Sequence, residues 1–363
     1  MKIAFYAPMK PPSDPVPSGD RRMARLLIEA LELAGHEVQI ASRLRSRDGA
    51  GDRAVQEQIR ARALASARRL IPYYKANPAD AWLTYHVYHK APDWLGPAIS
   101  KVLRIPYVIC EASYAPKRSG GPWEMGHLQT EMAIGRADAV IGLNSNDAAC
   151  VRPLLKPGAQ MIAMRPFLDA TAFSGPRTSR TGPPLLLAVG MMRAGDKLAS
   201  YRILAAALSR VRDLDWQLLV VGDGPARDEV KAVLRPLGRV KFAGEVAASR
   251  MPEIYAAADL YVWPAVREAY GMALLEAQAA GCAAVAGNVG GVGDIVRHGE
   301  TGLLAADDDP ADFAACVRTL LLDPQRRAAM GARARELVIE EHSLTAASAV
   351  LDRTIRDACK VSA

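Results

Sequence analysis

Pro264-Ala265-Val266-Arg267-Glu268-Ala269-Tyr270-Gly271-Met272-Ala273-Leu274-Leu275-Glu276-Ala277-Gln278-Ala279-Ala280-Gly281 directly follows the apolar run Leu260–Trp263. The run has the length and composition of a buried strand. The stretch behind it opens on a proline and reaches strong helix formers at Gly271; it stops at Gly281. This is one strand–turn–helix unit of a parallel sheet. Its turn and the first residues of its helix lie beyond the strand's carboxyl end. The unpaired N–H groups and positive dipole end of a helix suit a diphosphate there. Glu268 stands at the helix entrance and Glu276 within the helix. Carboxylates accept hydrogen bonds from vicinal hydroxyls, the groups that ribose and hexose present. Gly271 would let the backbone approach such a ligand closely.

Outward from this unit the same alternation repeats. After 184 the strand patterns are Leu185–Val189, Trp216–Val221, Val240–Ala243, Leu260–Trp263 and Ala283–Ala286. Before it they are Lys2–Ala7, Glu37–Ser42, Ala81–Tyr85, Pro106–Cys110, Ala139–Leu143 and Gln160–Met164. Helical segments such as Asp20–Ala34, Trp94–Leu103 and Asn146–Leu155 lie between them. Met23, Leu26, Leu27, Ala30, Leu31 and Ala34 make a one-faced stripe that ends at Gly35. Strands alternating with helices imply parallel α/β sheets. The polar, Gly- and Pro-rich 174–184 reads as a linker. Two Rossmann-like domains are expected, 1–173 and 185–342, with a cleft between them. A last helix within 343–363 is expected to pack back on the first.

Around the opening stretch other segments fall in a characteristic order. Val220-Val221-Gly222-Asp223-Gly224-Pro225 ends a strand in a glycine-rich turn. Asn288-Val289-Gly290-Gly291-Val292-Gly293-Asp294-Ile295-Val296 leads to Gly299-Glu300-Thr301-Gly302-Leu303-Leu304. Arg165-Pro166-Phe167-Leu168-Asp169 and Phe173 precede the linker. With Glu268 and Glu276 spaced as E-x7-E, this set resembles the retaining GT-B glycosyltransferases of the large family 4. It covers the whole second half and, weakly, the first. The resemblance implies that Glu276 holds the nucleotide ribose and Glu268 the donor sugar. Backbone from Tyr270 through Gly271 to Met272 would meet sugar and phosphate. Gly190 and Gly222 would line the donor site. Lys197 fits the lysine that neutralises the diphosphate, whereas the usual arginine position holds Met191 and Arg193 is the substitute. Gly19, in Ser18-Gly19-Asp20-Arg21, would approach the phosphates from the first domain, although Ser18 or Asp20 also reads as an ordinary helix cap.

The acceptor side departs most from that family. Its usual histidine position falls on Ala112 or Ser113. Glu111 at one strand's carboxyl end and His86 beyond another's are the candidates to orient or deprotonate an acceptor hydroxyl. The resemblance implies a nucleotide diphosphate-sugar as co-substrate, no cofactor and no metal. Asp307-Asp308-Asp309 precedes Pro310 and a helix, so capping is its expected role. A non-catalytic nucleotide-sugar-binding subunit, or a phosphorylase or epimerase on the same architecture, are the alternatives. A dehydrogenase is disfavoured, since no G-x-G-x-x-G follows the first strand of either half.

Bulk properties set the remaining bounds. The net charge of +7 is carried by the first half; between Arg43 and Lys75 nine basic residues stand against three acidic ones. Such a half suits an anionic partner: by charge alone a membrane surface, a phosphorylated acceptor or nucleic acid, the last of which the resemblance disfavours. The basic stretch Arg60–Leu70 could dock on anionic lipid, which would fit a lipid-linked acceptor as well as a glycan or small-molecule one. The five cysteines are scattered and never in C-x-x-C spacing. With no run of membrane-spanning length and no signal-peptide pattern, a cytoplasmic protein is expected, peripheral on the membrane's inner face as one variant.

Overall fold

A computed structural model describes residues 1–16, 18–268 and 271–362. The chain forms two compact units, Met1–Arg165 with Leu344–Ala363, and Pro166–Ser343. The first contains β1 (Lys2–Tyr6), α1 (Gly19–Leu33), β2 (Glu37–Ser42), α2 (Arg53–Ala76), β3 (Ala81–Val87) and α3 (Gly96–Leu103). It continues through β4 (Tyr107–Ala112), α4 (Glu124–Arg136), β5 (Ala139–Gly142), α5 (Ser145–Val151) and β6 (Gln160–Ala163). The second has β7 (Leu185–Val189), α6 (Asp196–Leu208), β8 (Gln217–Val221), α7 (Arg227–Leu234), β9 (Val240–Gly244), α8 (Met251–Ala257) and β10 (Leu260–Trp263). Then come α9 (Met272–Ala279), β11 (Ala284–Gly287), β12 (Gly302–Ala305), α10 (Pro310–Leu322) and α11 (Pro324–Glu341); α12 (Leu344–Ser362) returns to the first unit.

Each unit is built on a six-stranded parallel sheet, ordered β2-β1-β3-β4-β5-β6 in the first and β12-β11-β10-β7-β8-β9 in the second. In both, chain order reverses beside the first strand: between β1 and β3, and between β7 and β10. At such a reversal the loops leave the two strands in opposite directions and open a crevice beyond their carboxyl ends. Fully buried strand residues, Ile3, Phe5, Leu83 and Ile109 in one sheet and Leu186, Leu187, Val262 and Val285 in the other, explain why these runs read as continuously apolar.

Three features refine the expected layout. The second unit starts at Pro166, because Leu168 and Phe173 are buried in its core and Leu168 N donates to His342 O at 3.0 Å. Strands β3 and β4 run two residues past their expected ends, so that His86 and Glu111 lie inside them. Short β12 extends the second sheet where the sequence suggested only a glycine-rich run. Helix α12 packs against α1, burying Ala347, Leu351, Ile355 and Ala358, and Asp352 lies 3.0 Å from His36 Nε2. Among the described residues no helix is long and apolar enough to cross a membrane.

Candidate active site

In the second unit the reversal brings the loop after β7 beside the turn after β10. Gly190 and Gly222 make the first loop possible. A Cβ on Gly190 would lie 2.9 Å from the Trp263 ring, and one on Gly222 (φ 134°) would lie 2.0 Å from Gly190 O. The loop is held by Gly190 N donating to Val221 O at 3.0 Å and by Tyr201 Oη donating to Gly190 O at 2.9 Å. It delivers the chain to Gly195 and the first turn of α6, where Asp196 and Lys197 stand.

Lys197 forms an ion pair with Glu268, four-fifths covered on both sides. Lys197 Nζ also sits 5.3 Å above the Trp263 ring, whose Nε1 points at Glu268 Oε2 from 3.4 Å. The next two contacts strap the same turn to α6: Arg267 Nε donates to Asp196 Oδ1 at 2.7 Å, and Val266 N donates to Ser200 Oγ at 3.0 Å. Ala265 and Arg267 adopt left-handed backbone, φ 62° and 48°. Strain of about 1–3 kcal/mol per residue persists only where surroundings over-determine it, as at binding sites. Trp263 and Arg267 were not singled out from sequence; their adjacency to the Glu268 turn was the available signal.

Gly271 caps α9 with φ 74°, and Met272 opens the helix. Glu276, one turn on, is only 7% exposed and accepts a hydrogen bond from Tyr255 Oη at 2.7 Å. Arg193 lies exposed on the loop after β7, without an ion pair to Glu268. Tyr270 lies outside the described residues. Asp309 caps α10, accepting from Ala311 N at 2.8 Å and Asp312 N at 3.1 Å.

In the first unit the reversal between β1 and β3 joins Asp20 and His86. Ser18 caps α1 by accepting from Arg21 N at 3.2 Å. A Cβ on neighbouring Gly19 would meet nothing within 4 Å, so no packing demand fixes glycine there. Asp20 Oδ1 is 2.9 Å from His86 Nδ1. On the adjacent strand Glu111 occupies the matching register, because Tyr85 pairs with Cys110 and Val87 with Ala112 on either side. Both residues are left-handed, His86 at φ 61° and Glu111 at φ 65°. Burial works against charge on His86, but the carboxylates of Glu111 and Asp20 outweigh it and raise its pKa. Burial also raises the pKa of Glu111, with His86 opposing. The pair can therefore hold or release a proton within one half-buried site. Ser113 Oγ donates to Asp147 Oδ1 at 2.9 Å beside them.

Residues 183–323, within the second unit, match the family model described as Glycosyl transferases group 1. A glycogen synthase of Mycobacterium tuberculosis is 29% identical over 90% of this chain and 88% of its own length. A D-inositol 3-phosphate glycosyltransferase of Rhodococcus erythropolis is 28% identical over 74% of this chain and 64% of its own. The structure of Anabaena Alr3699/HepE in complex with UDP superposes with a TM-score of 0.74 at 18% identity, covering 98% of this chain and all (100%) of that one. The fold is therefore GT-B.

Proposed function

We propose that the protein is a retaining hexosyltransferase that moves a sugar from a nucleoside diphosphate carrier, bound by the second unit, to an acceptor hydroxyl bound by the first. The observation that carries this reading is the Lys197–Glu268 pair, strapped between α6 and the β10–α9 turn at the sheet's reversal point. A cation and a carboxylate there meet the two ends of a sugar diphosphate. Lys197 faces the phosphates as charge accumulates on the leaving group, and Glu268 accepts hydrogen bonds from the sugar hydroxyls. The first N–H groups of α9 add donors for the phosphates, and no metal is required. In this reading Glu276, which Tyr255 anchors, takes the ribose hydroxyls.

In the first unit the Asp20–His86–Glu111 group is suited to hold the attacking hydroxyl and take up its proton. Retention follows if that hydroxyl enters from the face the diphosphate leaves. The relatives named above act on different acceptors, so their names do not select one for this chain. A glycan, a lipid-linked acceptor and a small molecule remain the classes to test, and an anionic inner membrane surface is a compatible location.

The deciding experiment compares wild type with Glu268→Gln. Wild type should release nucleoside diphosphate only when acceptor is supplied, and the product anomer should match the donor's. Glu268→Gln should bind the nucleoside diphosphate and release none. An unchanged nucleotide-induced melting shift in both Glu276→Ala and Lys197→Met would remove the donor site from the second unit.

A further inference from the structure

Beside the Asp20–His86–Glu111 group lies a set of cations that the scheme above leaves without a task. They sit on three loops leaving the carboxyl edge of the first sheet, after β2, β3 and β4. Asp48 N donates to Lys90 O at 2.8 Å and Trp123 Nε1 donates to Asp48 O at 3.0 Å, so the three loops are tied together. Lys90 Nζ stands 4.3 Å above the Trp123 ring. The Arg47 charge acts on Tyr88, whose ring lies 5.0 Å from His86 and 5.3 Å from His89. The cationic set is thus continuous with the proton-handling pair.

These charges are not neutralised locally. The nearby carboxylate of Asp14 is taken by two other cations, Lys10 and Arg45, each at 3.7 Å. Arg47, Lys90, Lys117 and Arg118 enter no ion pair among the described residues. The two neighbouring carboxylates are occupied: Asp48 accepts from Gln56 Nε2 at 2.9 Å and Glu124 from Gly120 N. Burial, then the repulsion of Arg118, Lys90 and His127, holds the His89 pKa down at about 4.

Two covered imidazole nitrogens support the same reading. His89 Nε2 and His127 Nε2 are covered and have no hydrogen-bond partner among the described residues, and His127 is 2% exposed. The His127 ring is stacked on Tyr114 at 4.6 Å, and His89 packs edge-on against Trp123 at 5.8 Å. Orphaned imidazole nitrogens among unpaired cations are what a compact anion satisfies.

We infer that the acceptor carries a phosphate monoester, which Arg47, Lys90 and Arg118 grip while its hydroxyl lies at His86. This rests on the reading of the first unit as the acceptor side and adds the chemical class of its ligand. A flat anionic surface is the weaker fit, because these cations stand on three loops tied together at Asp48, with Arg118 and Lys90 acting on His89, which the Tyr88 ring links to His86.

The test measures glucose 6-phosphate against glucose by titration calorimetry in the full-length protein. A Lys197→Met background and saturating UDP-glucose keep the second unit from contributing. Vesicles with and without phosphatidic acid form a parallel arm that separates a lipid-borne phosphate from a soluble one. Phosphate-bearing ligand should bind at least about tenfold tighter than its unphosphorylated counterpart, and Arg47→Gln and Arg118→Gln should each remove about tenfold. Both side chains are exposed, so the melting temperature of the variants should not move. Binding in one arm only tells which source carries the phosphate. No preference for phosphate in either arm, or a preference untouched by both substitutions, overturns the inference. The UDP-induced melting shift, read in parallel on the Arg47 and Arg118 variants in the Lys197-intact protein, reports separately on the donor reading.

Discussion

Replacing Lys197 by methionine keeps the aliphatic stem over Trp263 and deletes the charge that faces Glu268. Both side chains are about four-fifths covered, 20% and 21% exposed. Breaking a fully buried pair costs about 3–5 kcal/mol and an exposed one about 0–1. A pair between those limits, whose orphaned carboxylate keeps the Trp263 N–H nearby, should cost about 2 kcal/mol. For a unit the size of Pro166–Ser343 that corresponds to a melting temperature lower by about 4–8 °C. Glu268→Gln in the same background should restore most of the loss, since no uncompensated carboxylate remains. UDP affinity should fall in Lys197→Met and not in Glu268→Gln. Lys197→Met removes a charge-assisted contact to phosphate worth about 1.5–3 kcal/mol, weakening UDP by about 10- to 150-fold. Glu268→Gln frees Lys197 from its ligand-free partner and should leave UDP bound as tightly as in wild type or tighter. Differential scanning calorimetry with and without UDP reads both effects. Purely additive melting shifts in the double variant, or weaker UDP binding in Glu268→Gln, would refute the reasoning.

Tyr255→Phe should weaken UDP by about tenfold without abolishing it, by removing the 2.7 Å donor that fixes Glu276; isothermal titration measures this, and unaltered affinity would detach Glu276 from the ribose. Gly222→Ala places a Cβ 2.0 Å from Gly190 O in a left-handed backbone and should destabilise the second unit by about 3 kcal/mol or more, seen in urea melts. His86 has a raised pKa in the folded state, so its contribution to stability is full below the ordinary histidine value near 6.5. That contribution is lost as pH rises through the raised value. Melting curves across this window should therefore be flatter for His86→Asn than for wild type, and identical slopes would contradict the assigned charge.

The loops of the second unit were more legible than those of the first, for a physical reason. Glu268 and Gly271 lie on one short strand–turn–helix and Lys197 on another, and in each local spacing sets which residues emerge beyond the sheet. Arg267 was not readable, because its role comes from a left-handed backbone that aims it at Asp196, 71 residues earlier in the chain. Strand alternation places β3 and β4 correctly but gives no warning that they continue through His86 and Glu111. The cause is again backbone: two left-handed residues at matched register are a tertiary fact. Gly222 looked like a ligand contact, and the structure gives it a packing reason, since the neighbouring loop passes where its side chain would be. His89 and His127 carry no periodicity and no motif; only the meeting of three loops sets them among unpaired cations.

The return of α12 to α1 makes the two units unequal in the order in which they can be completed. Everything that Pro166–Ser343 requires is contiguous, so it can close on itself as soon as that stretch has been synthesised. The amino-terminal unit, though made first, must wait for the last helix to cover α1 with Leu351 and Ile355. A chain cut short at Ser343 should therefore still take up the proposed nucleoside diphosphate while its amino-terminal unit exposes an apolar face and becomes the part that aggregates.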